Sequence, residues 1–194
     1  MAQKILSTAL VVGVAGAVAG AATYSAFSAT ATNDGNTFAA GTVVLGDNDA
    51  GGAVLSLDNA KPGDTSVGCI RVIASGSLES TVRMYAAVTG TLGPYLTLTV
   101  TRGTDASPSF KSCQGFSPDD ADYGLGAPGR IFSGPLSSFP SDWGTGVADP
   151  PSGTPEVWTT DEAHSYRFHI TLQDDNAAQG RSSTVTFTWE ARNT

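Results

Sequence analysis

The sequence predicts an all-β fold, an antiparallel β-sandwich with a loop-rich insertion, and three observations carry this reading. Apolar residues beyond position 40 recur with period two, and no window shows a 3.6-residue stripe. The short runs are separated by Gly, Pro, Asn and Asp turns. In the last two runs, 164–172 and 184–191, the bulky residues share one parity: Tyr166, Phe168, Ile170 and Leu172, then Val185, Phe187 and Trp189. Alternation of this kind gives each strand one buried and one solvated face, and two such sheets must pack against each other.

In chain order the predicted strands are 42–45, 53–57, 66–73, 81–88 and 96–100, followed by the final pair. "KPGD" at 61–64 is a turn, since Pro62 presets φ and Gly63 permits the positive φ that follows. The strand 66–73 sets Val67, Cys69, Arg71 and Ile73 on one side and Gly68, Ile70 and Val72 on the other. In 96–100, Leu96, Leu98 and Val100 point inward with threonines outside. Eight of the ten prolines fall between 102 and 158, among Phe110, Phe116, Ile131, Phe132, Leu136, Phe139 and Trp143. Disordered segments lack such aromatics, so 102–158 reads as an ordered insertion docked on the sandwich, with a helical turn at "PLSSF".

The front of the chain has a different character. Lys4 precedes an uncharged run from 5 to 22, and small residues follow to Ala26, which predicts a secretory signal over 1–25. The run approaches the length of a spanning helix, so an uncleaved anchor is the alternative; no basic stop-transfer cluster follows it. Cleavage leaves about 170 of the 194 residues, one domain over 37–194 preceded by a free segment, 26–36. In that segment Phe27, Ala29 and Ala31 alternate with Ser28, Thr30 and Thr32, the period of a strand with one apolar face. A net charge of −8 excludes nucleic acid as an expected partner. Cys69 and Cys113 are the only cysteines, and an oxidising exterior predicts one bridge between them, worth ~3 to 4 kcal/mol; two separate buried thiols are the alternative.

Motifs of catalysis are missing: there is no "HExxH", no "GxSxG", no phosphate loop and no zinc-spaced cysteine pair. His164 and His169 are five apart on one strand and so leave opposite faces, and His164 reads as a solvated residue, with a weak surface metal site beside Asp161 and Glu162 as the alternative. "DND" at 47–49 and "DDAD" at 119–122 offer oxygens that suit calcium but lack a full ligand set, and solvated turns are the default. No catalytic residue, metal ligand or cofactor is therefore expected, with calcium the one candidate ion.

Several stretches together carry a family resemblance. A leader followed by "AFS", then "NTFAAGTVVL", "LDNAKPGD", the "GS" at Gly76 and Ser77, and "DDNAAQGRSSTVTFTWEA" resemble the TasA/camelysin family of secreted bacterial proteins. "CQGF" and "IFSGPLSSF" resemble the insertion of its actinobacterial-type members. The resemblance implies a jelly-roll sandwich, export through a dedicated signal peptidase, and assembly into fibres of an extracellular or biofilm matrix, with other matrix proteins as further partners. It also implies head-to-tail strand donation, in which Phe27, Ala29 and Ala31 would fill a neighbour's groove and 33–36 would be the hinge; a frayed terminus over 26–36 is the alternative. The alternatives are a cell-surface binding module that uses the insertion, with Trp143 and Trp158 as contacts, and a camelysin-like metallopeptidase for which the chain shows no zinc motif.

Overall fold

The computed structural model describes residues 28–32, 43, 45–104, 108–152 and 154–194. The expected signal segment 1–25, Phe27 and the expected hinge at 33–36 lie outside the described residues. Nine strands are present among those described: β1 (Ser28–Thr32), β2 (Leu45–Asp47), β3 (Thr65–Ala74), β4 (Ser80–Gly90), β5 (Leu96–Gly103), β6 (Arg130–Pro135), β7 (Val147–Ala148), β8 (Ala163–Leu172) and β9 (Ser183–Asn193). They form two antiparallel sheets, in the orders β1-β9-β4-β7 and β2-β3-β8-β5-β6. Strands from opposite ends of the chain pair side by side, and most connections cross between sheets. This is the double Greek key of a jelly roll, widened at one edge by β2.

The two final strands set the core, as their parity predicts. Phe168 of β8 packs on Phe187 and Trp189 of β9, with ring centroids 4.5 and 6.0 Å apart, and Tyr166 lies 5.3 Å from Trp189. All four side chains are essentially buried. In β3, Gly68, Ile70 and Val72 face this core, while Val67 is exposed. Cys69, on the outer face, is nonetheless buried, because the segment carrying Cys113 covers it. The two cysteines form the bridge, with Cα atoms 5.2 Å apart, and the Lys111 N–H donates to the Cys69 carbonyl at 3.0 Å beside it.

Three expectations change. Residues 53–57 do not form a strand. They cross the inner face of β3 at Gly68, where an added Cβ would stand 2.1 Å from the Val54 carbonyl oxygen, so this segment is seated by a missing side chain and not by a ladder. Of the strand expected at 42–45, Thr42 and Val44 lie outside the described residues; Val43 is buried, and the described strand, Leu45–Asp47, runs on into the stretch expected to turn. The segment 102–158 supplies β6 and β7 to the two sheets and buries Ile131, Leu136, Phe139 and Trp158 in the core, so its middle is sandwich, not appendage. The expected helical turn is the 3-10 turn Leu136–Ser138.

The fourth difference bears most on function. Residues 28–32, expected to be free, form β1, an edge strand paired with β9 of the same chain from Ser28↔Arg192 to Thr32↔Thr188. Ala29 lies opposite Ala191 and Ala31 opposite Trp189.

Truncating Trp189 to Ala removes the ring shared by both sheets. We expect a loss of about 3–5 kcal/mol in urea unfolding with the denaturant slope unchanged.

Candidate functional site

The inward parity of β5 does not stop at Val100. Leu96, Leu98 and Val100 face the core, and the same parity carries Arg102 inward, 5% exposed, opposite Tyr166 of β8. A buried guanidinium requires anions around it. Asp149, directly after β7, accepts from Nε; Asp119 accepts from one terminal nitrogen and Glu156 from the other. The backbone of the loops is fitted to the same point. The Arg102 N–H donates to Gly129 O at 2.7 Å and its carbonyl accepts from Asp119 N–H at 3.0 Å. Gly129 holds φ +66°, and a Cβ there would fall 2.4 Å from the Arg102 oxygen.

Two tyrosines close the network. The Tyr166 hydroxyl donates to Asp149, and the Tyr123 hydroxyl donates to Asp119 at 2.5 Å. Burial, and then the adjacent Asp149 charge, holds the Tyr166 hydroxyl far above its ordinary range. Burial alone would push the Asp119 carboxyl up; Tyr123, the Ala121 N–H and Arg102 together hold it below the usual carboxylate value. Burial raises Glu156, only partly offset by Arg102 and His164.

His164 lies in β8 on the inner face and is 9% exposed, so the solvated position expected for it is overturned. Its ring sits 4.7 Å from that of Trp158, and its Nε2 is 3.1 Å from an Arg102 nitrogen and 3.3 Å from Glu162 Oε1. His169 is exposed on the outer face, as the odd spacing requires. Glu156, Glu162 and His164 bring one ligand atom each within 4.8 Å of one another. Sequence reasoning set His164 beside Glu162 but missed Glu156, which reaches the group from a loop where no period operates.

Trp158 is fully buried and cannot serve as a binding platform, while Trp143 stands beneath Arg83 and Arg192 at 5.3 and 4.4 Å. Of "DDAD", Asp119 belongs to the arginine cluster, and Asp122 accepts from the N–H groups of Gly124, Leu125 and Gly126. Each is already occupied with its own loop.

Residues 1–89 match the family described as camelysin metallo-endopeptidase. This match bears out the resemblance to the TasA/camelysin family. No curated protein matches the chain. The family's description implies a metal ion, and among the described residues Glu156, Glu162 and His164 are three donors near enough to one another to be asked to hold one. They do not fit it. The Arg102 guanidinium is bonded to Glu156 and stands 3.1 Å from His164 Nε2, so a fixed cation already occupies the position among the donors. A catalytic zinc also needs one coordination position open to water and substrate, and here that ground is taken by arginine. No catalytic step is derived through a metal.

Replacing Arg102 by Met keeps the volume and leaves Asp119, Asp149 and Glu156 without their shared cation. The expected cost is about 3–5 kcal/mol in urea unfolding, whereas Arg192→Met, which removes an exposed partner of Glu190, should cost under about 1 kcal/mol.

Proposed function

We propose that this chain is a secreted structural protein of the extracellular matrix or cell surface, which assembles into fibres by handing β1 to the next copy. The observation that supports the reading is the seat of β1. It is the outermost strand of its sheet, and its ladder partner is β9 alone. The bonds that hold it are backbone bonds, which another copy's β1 reproduces in the same antiparallel register. Release in one molecule and capture in another therefore exchange like for like, and the balance is set by concentration.

The exchange has a direction. Each copy gives a strand from its front end and receives one at β9, so the contact is head to tail and does not close on itself. Removal of the leader would free the front end to travel, which ties assembly to export. The partner is thus a second copy of the chain, with other matrix proteins able to enter through the same edge. The peptidase reading is weakened by Arg102 among the only histidine-containing donor group of the described residues.

Mixing two leader-free variants, Ala29→Cys and Ala191→Cys, tests the exchange, because these positions are register partners. We expect a covalent dimer on a non-reducing gel after oxidation of the mixture. Its absence, with the double variant in one chain closing readily as a monomer, would show that β1 stays at home.

A further inference from the structure

The turn that follows β2 contains two carboxylates in an unusual state. Asp47, at the end of β2, lies opposite Val72 of β3, and Asp49 is only 6% exposed. One oxygen of each is satisfied locally: Asp47 Oδ1 accepts the Asp49 N–H at 3.1 Å, and Asp49 Oδ1 accepts the Gly51 N–H at 2.6 Å. The other oxygen of each, Oδ2, is shut off from solvent and has no hydrogen-bond partner. The two carboxyls are close enough to hydrogen-bond to each other. Among the described residues no basic side chain forms an ion pair with either.

A buried carboxylate and a half-buried one side by side with no counter-charge are unfavourable, and a cation placed between them removes the cost. The turn is held in shape by other means. Asn48, between the two aspartates, donates to Pro108 O at 3.1 Å and accepts the Arg71 N–H at 3.0 Å, while the Gly52 N–H bonds to Asp49 O at 2.9 Å. The free oxygens are thus presented by a frame that does not depend on the ion. We propose that Asp47 and Asp49 bind a divalent cation of the calcium class through their Oδ2 atoms, with water completing its coordination. Oxygen donors without nitrogen or sulfur favour a hard ion over zinc. Burial first lifts the Asp47 carboxyl to about 6, opposed by the Asp49 N–H and helped by the neighbouring Asp49 carboxyl, the behaviour of a group that lacks a positive partner.

Such an ion would fasten the start of the domain to residue 108, just ahead of the segment bridged to Cys69. The inference stands apart from strand exchange, and either can fail alone. The test is equilibrium dialysis of chelator-stripped, leader-free protein against calcium chloride, with amide NMR on the same sample. We expect one calcium per chain, shifts centred on Asp49 and Gly51, and at least a tenfold loss of affinity in Asp47→Asn and in Asp49→Asn, with Asp174→Asn binding as the parent does. The absence of binding at millimolar calcium overturns the proposal. So do shifts centred elsewhere, or unchanged affinity in both asparagine variants; if neither variant folds, the location of the shifts in the parent protein decides.

Discussion

β9 must be covered on both of its backbone edges. Its side chains cannot move, because Phe187, Trp189 and Ala191 are locked in the core, so the strand is fixed in place while its N–H and C=O groups look sideways for partners. On one side β4 answers along eleven residues, from Ser80 to Gly90. On the other the answer comes from β1, five residues long and drawn from the far end of the chain. An uncovered edge at this point would be a template for whichever strand arrived first. The sandwich is therefore complete only with a strand whose attachment is a short ladder.

The other edges of the two sheets are treated differently. β2 and β7 are three and two residues long, too short to offer much of a ladder, and β7 leads directly into Asp149 of the arginine cluster; β6, the remaining edge, is six residues long and ends in Pro135, which has no N–H to offer. Arg102 draws the loops around positions 119, 149 and 156 onto the end of the sandwich with one buried charge. A protein whose acidic groups close around an arginine is built for cohesion at that end.

The sandwich and its aromatic centre could be read from alternation alone, since β8 and β9 each put every large apolar residue on one face. The disulfide was legible because two cysteines leave one pairing. Arg102 was legible in part: the parity of Leu96, Leu98 and Val100 extends to it, but its three carboxylates lie 17, 47 and 54 residues away in loops, where no period operates. The segment 53–57 looked like a strand because Val54, Leu55 and Leu57 are apolar; what denies it a ladder is the bare inner face of Gly68, a tertiary fact. β6 and β7 were hidden by the prolines and glycines around them, and the pairing of β1 by its distance of some 160 residues from β9, shown by Ser28 opposite Arg192.

The central claim is that β1 can serve a neighbour as well as its own chain. Electron microscopy of the leader-free protein, residues 26–194, at rising concentration beside a version that begins at residue 33 tests it most directly. The account predicts ordered fibres from the first and none from the second; two monomeric proteins, or the same fibres from both, would contradict it.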